Sequence, residues 1–456
     1  MQETKNKEIF ETIPIPRALA TLAIPTIIGQ LVVLIYSLAD TFYIGRTNNP
    51  LMVAGASLIL PVYNICISIA GLAGVGGGTL ISRLLGAGKP EEARKVSAFS
   101  FYLSILLSLC FSAGMALFMH PLLGALGASG DTYPYARQYA FCVIVLGALP
   151  TVMSITLSNL LRSVSCAKQA GFGVSMGGVI NIFLDPLFMF VLFPSGMETA
   201  AAGIATMCSN ILVCIYYLIV LGKMQKDTVL TLSPGAGIPE KKEILSIFSV
   251  GVPAALATLL FDLAYVVIDK LAAGYGDIPL AAVGIVLKAE RLPLNVGIGL
   301  CQGMMPIAAY NYSSGNHQRM KQAVSFSRLA GLVIGAASIV MYEIFAEHIL
   351  RFFIQDPQTV RIGANFLRIR CLATPFMFMC FHLVNLFQAV GKGGRALFLA
   401  VVRWAVFNIP ILFLFNAVFG MYGIVCTQIV ADMCTVMISF YVYRRFTKSC
   451  LPPSAA

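Results

Sequence analysis

Apolar residues fall into twelve continuous stretches, at 18–44, 52–77, 97–119, 136–160, 171–193, 200–222, 248–274, 279–304, 324–346, 362–390, 396–416 and 420–443. Each is long enough for the roughly 20 residues that a helix needs to cross hydrocarbon. Polar residues separate the stretches rather than alternating within them. A membrane β-barrel would alternate in units of about 10 residues, so the pattern predicts an all-α membrane protein of twelve transmembrane helices. The longest polar connection, 223–245, carries Pro, Gly and four Lys and reads as a linker. It divides the chain into an N-lobe, 1–222, and a C-lobe, 246–456, with six predicted spans each.

The two lobes read as copies. At an offset near 228, Pro25 meets Pro253, Gly45 falls beside Gly274, VSAFS at 96–100 meets VSFSR at 324–328, and His120 meets His348. Pro150 meets Pro375 at 225, and VINI at 179–182 meets VFNI at 406–409 at 227. An even number of spans per copy gives both the same orientation. That is the parallel type of transporter repeat, with a pseudo-two-fold axis along the membrane normal and a site expected between the bundles.

Composition agrees. Of 456 residues, 58% are hydrophobic and only 11% charged, and mean hydropathy is +0.84. Soluble domains carry about 25% charge. The formal net charge of +11 raises the question of a nucleic-acid partner, but its distribution argues against one. If the N-terminus is cytoplasmic, 21 Lys and Arg fall in inner loops, among them Lys5, Lys7, Arg83, Arg162, Lys226 and Arg444. Only 5 fall in outer loops: Arg46, Arg137, Lys270, Arg351 and Arg361. This is the positive-inside pattern and places both termini in the cytoplasm. The polar segment 1–17 is too long and acidic for the charged region of a signal peptide. The 12 cysteines form no C-x-x-C and lie mostly in apolar spans, where they read as small buried hydrophobes.

Two carboxylates inside the apolar stretches carry the chemistry. Asp40 and Asp185 are expensive in hydrocarbon unless they pair, face water or bind a proton. At 1.5 Å per residue, Asp40 lies roughly 6 Å below the outer end of the first span and Asp185 roughly 12 Å below that of the fifth. Thr206 lies roughly 9 Å into the sixth. Asn181 and Asp185 are i and i+4 and share a face. Pro186 removes a backbone donor and is expected to kink the fifth span, freeing a carbonyl. These hard oxygen donors suit Na⁺ or an exchangeable proton. A buried polar network that only ties helices together is the alternative. The repeat partners of Asp185 and Asp40 are Leu412 and Ile268, and the tenth span holds no acid. Coupling to an ion is therefore expected in the N-lobe.

The C-lobe has charges of its own. Asp262 and Asp269 are two turns apart on the seventh span, and Glu290 lies between Lys288 and Arg291 on the eighth. A cavity between the lobes lined by such acids and Tyr36 would favour amphipathic cations, although Glu290 could instead pair with Lys288 or Arg291. His382 reads as a proton carrier or a packing residue, and Arg403 with Asp432 as a structural pair. GLAGVGGGT at 71–79 lacks the G-K-[ST] of a phosphate loop and reads as a close-packing or hinge segment. GKGG at 391–394 is a turn, not a nucleotide site. No cofactor, no ATPase subunit and no catalytic constellation is expected.

The chain resembles the multidrug and toxic compound extrusion (MATE) transporters. The resemblance rests on LADTFYIG at 38–45, SRLLGAGKPEEARK at 82–95, LGASGD at 126–131, NIFLDP at 181–186 and AAAGIAT at 200–206, and it spans essentially the whole chain. It implies two six-helix bundles forming a V-shaped cleft and working by alternating access. It implies a multi-pass protein of the prokaryotic cytoplasmic membrane, a monomer, exporting cationic lipophilic compounds in exchange for H⁺ or Na⁺. Asp40, Asn181, Asp185 and Thr206 match the cation-site positions of one family branch. A second branch uses acids in the seventh and tenth spans, and this tenth span has none. The pattern is closest to the damage-inducible, archaeal-like and Gram-positive members.

Three rival readings are weaker. A lipid-linked oligosaccharide flippase of the same superfamily would show a basic cavity and often extra C-terminal helices. A membrane enzyme would need a polar catalytic cluster at one face. A channel would not need the repeat and hinge features.

Overall fold

The computed structural model describes residues 8–47, 49–225 and 227–450. The basic residues Lys5, Lys7 and Lys226 and the extreme ends of the chain lie outside the described residues. Among those described there is no strand. Helices long and apolar enough to span a membrane number up to 12, counting two bent pairs as one span each. They are α1 (Ile15–Gly45), α2 (Pro50–Gly86), α3 (Pro90–Ala125), the bent pair α4 (Tyr133–Leu146) and α5 (Ala148–Ser163), α6 (Ala167–Leu192) and α7 (Glu198–Met224). The second six are α8 (Lys241–Ala273), α9 (Asp277–Ser313), α10 (His317–Phe353), the bent pair α11 (Pro357–Cys371) and α12 (Thr374–Ala389), α13 (Gly393–Phe419) and α14 (Met421–Cys450).

Most helices outrun their apolar stretches, because backbone hydrogen bonds continue into the flanking polar residues. The expected linker 223–245 shrinks accordingly. α7 continues to Met224, and α8 starts at Lys241 behind a capping box in which Glu240 and Glu243 exchange backbone hydrogen bonds.

The repeat is visible in the geometry. The fourth span bends by 49° at Gly147 and the tenth by 48° at its Cys371–Thr374 break. The equivalent prolines Pro150 and Pro375 sit just beyond each bend. The bundles also embrace reciprocally, α1 packing on α9 and α8 on α2, pairs that exchange under the repeat.

Their seam needs residues without side chains. A Cβ on Gly251 of α8 would lie 2.2 Å from the Leu72 carbonyl of α2, and one on Gly76 would lie 2.5 Å from that of Ile247. On the other pair, Gly299 and Gly303 of α9 approach Ile27 and Ala23 of α1 backbone to backbone. All these contacts lie in the half nearer the face where α1 begins and α14 ends, here the terminal face. Gln30 and Gln302 join the bundles by a 3.2 Å hydrogen bond, and Arg83 donates to Ser246 Oγ at 3.0 Å. The glycine-rich turn of α2 is thus a packing hub: Gly76 faces α8, Gly74 and Gly78 face Asn159 of α5, and Gly77 faces Ser100 of α3.

At the terminal face, the segment ahead of α1 is pinned to the second bundle. The Arg319 guanidinium donates to the carbonyls of Ile9, Phe10 and Ile13, Asn311 Nδ2 donates to Phe10, and the Phe10 ring stacks on Tyr310.

Pro186 does not break the fifth span. α6 runs on through it, and its last turn, Phe188–Leu192, widens to π-helical pairing. The widened turn lies after the proline, whereas the donor it removes would have faced the Ile182 carbonyl one turn earlier.

Candidate cation site and cavity

Three helices bring the four N-lobe candidates to one region. α1 carries Asp40, α6 carries Asn181 and Asp185 one turn apart, and α7 carries Thr206. Asp185 is 0% exposed. Asn181 Nδ2 donates to Asp185 Oδ1 at 3.1 Å and to Thr206 Oγ1 at 3.5 Å. Asp40 lies within electrostatic range of Asp185, and Tyr36 and Tyr139 lie within range of both acids.

The cluster has more acceptors than donors. Asp40 Oδ1, Asn181 Oδ1 and Asp185 Oδ2 are buried with no hydrogen-bond partner. Among the described residues no Lys or Arg forms an ion pair with Asp40 or Asp185. Each buried acceptor left unsatisfied costs about 1–3 kcal/mol. A bound proton or a small hard cation would satisfy them. The donor set, two carboxylates, an amide and a hydroxyl, fits such an ion.

Below the cluster opens a cavity of about 280 Å³ within the first bundle. Asn181 and Thr206 line it, joined by Tyr36, Tyr63, Asn210 and Arg162, with Gln302 contributed by α9. Its lining couples polar groups to aromatic rings. Tyr36 is expected from the sequence, but Tyr63, Tyr139 and Asn210 are not, because isolated polar residues in apolar spans give no signal until the helices are packed. Arg162, counted above with the inner-loop cations, instead occupies the last turn of α5 and is buried.

Among the C-lobe candidates, the expected local pairing of Glu290 requires correction. None of Asp262, Asp269, Glu290 and His382 lines this cavity. Glu290 is buried and accepts from Arg370 Nε at 2.6 Å, with Tyr265 Oη at 3.5 Å. Its partner is neither Lys288 nor Arg291 but a guanidinium 80 residues away. A buried carboxylate locked to a buried guanidinium offers no free charge to a substrate. His382 is 0% exposed inside the second bundle, its ring 5.6 Å from that of Phe378. Asp262 is half-buried beside Asn64 of α2, and Asp269 is exposed in the field of Arg370 and Arg291. Arg403 and Asp432 do form a bidentate pair, at 2.8 and 2.9 Å, extended by Gln428 and Asn408. No cluster of three or more His, Cys, Asp or Glu suited to a metal occurs among the described residues.

Comparison with known proteins places this architecture. The chain is 29% identical over 435 residues to the multidrug export protein MepA of Staphylococcus haemolyticus, covering 95% of this chain and 94% of that one. It is 28% identical to MepA of Staphylococcus aureus, covering 95% of each. The outward-facing structure of a multidrug resistance MATE transporter superposes with a TM-score of 0.92 at 22% identity, over 98% of this chain and 99% of that one. A MATE structure in complex with MaL6 gives 0.92 at 23% identity over the same shares. The MatE family model matches residues 25–187 and again 253–414, one copy in each bundle. The protein is a multi-pass membrane protein of twelve helices in two pseudo-symmetric bundles, and it belongs to the MATE family of multidrug and toxic compound extrusion transporters.

Proposed function

We propose that the protein is a secondary antiporter that exports amphipathic cations in exchange for H⁺ or Na⁺, with Asp40, Asn181, Asp185 and Thr206 as the coupling-ion site. The single observation that carries this reading is the convergence of three buried acceptor oxygens without a donor. An empty site holds uncompensated negative charge in a low-dielectric bundle, and ion binding relieves it. Occupancy thereby biases how α1 and α6 pack, and an ion gradient can drive a change of access. Asn181 and Thr206 belong to both the ion cluster and the cavity wall. A cationic substrate and the coupling ion then compete for one electrostatic well, as exchange requires.

With both termini in the cytoplasm of a prokaryotic cell, the terminal face, where the bundles pack closely at glycines, is the inner one. The MepA relatives are multidrug export proteins by name, which favours export of varied small molecules. A monomer suffices, since cavity and ion cluster come from one chain. No nucleotide-hydrolysing subunit is invoked.

Ethidium efflux from cells expressing Asp40→Asn or Asp185→Asn tests the reading. Both should lose most energised efflux while reaching wild-type membrane levels. Efflux at the wild-type rate in both variants would overturn it.

A further inference from the structure

Among the described residues three arginines are buried: Arg370, Arg403 and Arg162. Arg370 is locked to Glu290 and Arg403 to Asp432. Arg162 has no such partner. Among the described residues no carboxylate forms an ion pair with it. Its Nη1 donates to Asn159 Oδ1 at 3.2 Å, whereas its Nε is buried with no acceptor. It is 9% exposed, and it lines both the N-lobe cavity and a smaller adjoining pocket of about 60 Å³ containing Thr79, Ser82 and Gln302.

A guanidinium has five donors in a planar fork and cannot shed its charge, so an unpaired one in a dry site seeks a planar anion. The cavity is thus polarised. One end is lined by Asn181, whose Oδ1 has no donor and whose amide touches Asp185, and the other by Arg162, whose Nε has no acceptor. From Thr151 to Arg162 the lining of α5 spans roughly 16 Å, room for a fused aromatic cation bearing an acid group.

We propose that Arg162 forms a carboxylate-binding subsite, so that the cavity takes dipolar substrates, with the amine toward Asn181 and the acid group toward Arg162. This rests on the cavity being the substrate path. An arginine at a helix C-terminus also steadies the last carbonyls of that helix, but that role would not discriminate between ligands.

The experiment uses the purified full chain and three dyes, read by fluorescence anisotropy without any gradient: rhodamine B, which joins a xanthylium cation to a carboxylate, its ethyl ester, and ethidium. Wild type should bind rhodamine B more tightly than the ester. Arg162→Gln should weaken rhodamine B about tenfold or more, bind the ester and ethidium at least as tightly as wild type does, since it removes a like charge from the wall, and so abolish the preference. Arg162→Lys should restore part of it as a point charge without the fork. Equal binding of acid and ester by wild type, or a preference that survives Arg162→Gln, would overturn the assignment. Ester binding that rises to the acid's level when acetate is added would place the anion in solution rather than on the substrate, and would overturn it too. Ethidium separates the two proposals. If ethidium binds while rhodamine B does not, the subsite fails and the cation reading stands; if no dye binds, both fail.

Discussion

Gly251→Ala tests whether the seam at the terminal face is a two-state element. The added methyl would sit 2.2 Å from the Leu72 carbonyl oxygen, a backbone atom with no rotamer to escape into. Carbon and oxygen are comfortable near 3.3 Å, so α2 and α8 must part by about 1 Å. Overpacking of this kind costs about 1–3 kcal/mol. The cost falls only on the arrangement in which the seam is shut, because neither helix is crowded there once they separate. That arrangement should therefore lose roughly 5- to 150-fold in relative population. Gly71→Ala is the control: it changes α2 in the same stretch, and no atom lies within 4 Å of its added Cβ. The assay is a spin-label pair at Lys89 and Lys241, both exposed at this face, with distances measured in liposomes. Gly251→Ala should broaden or lengthen the distribution, while Gly71→Ala reproduces wild type. A wild-type distribution in Gly251→Ala would refute the reasoning.

Further outcomes follow from the charges. Glu290→Gln removes one member of a buried ion pair and leaves Arg370 uncompensated, so it should destabilise by about 3–5 kcal/mol and lower the midpoint of thermal unfolding in detergent. Asp185→Asn removes a charge that has no cationic partner, so the same assay should show an unchanged or higher midpoint; a drop comparable to that of Glu290→Gln would mean that Asp185 is structural. Arg319→Ala deletes the three hydrogen bonds to the carbonyls of Ile9, Phe10 and Ile13. Amide exchange at residues 9–13 should then speed up by at least tenfold; unchanged exchange would show that Phe10 packing alone holds the segment.

The sequence made the spans legible because hydrocarbon demands long apolar runs, and any helix that crosses must supply one. The duplication was legible through prolines and glycines, which occupy the bends and seams where only they fit. Asn181 and Asp185 were legible because one helix sets their spacing. Partnerships between distant helices were not. Glu290 finds Arg370 because α9 packs against the bent tenth span, and no periodicity within the eighth span announces that. Arg162 was hidden by its place near the end of a span: it counts with the basic face by position, yet α5 extends far enough to carry it inside. The cavity was expected between the lobes. The cavity below the ion cluster lies mainly within the first bundle, and a smaller pocket of about 60 Å³ lies at the seam of the lobes, lined by α2, α5, α9 and α12.

The most direct measurement is dye efflux from proteoliposomes driven by one imposed gradient at a time, pH in one set and sodium in the other, for wild type, Asp40→Asn and Asp185→Asn. Wild type should respond to at least one gradient, and each variant should lose that response by tenfold or more. Variants that follow the gradient as wild type does would show that the coupling ion binds elsewhere.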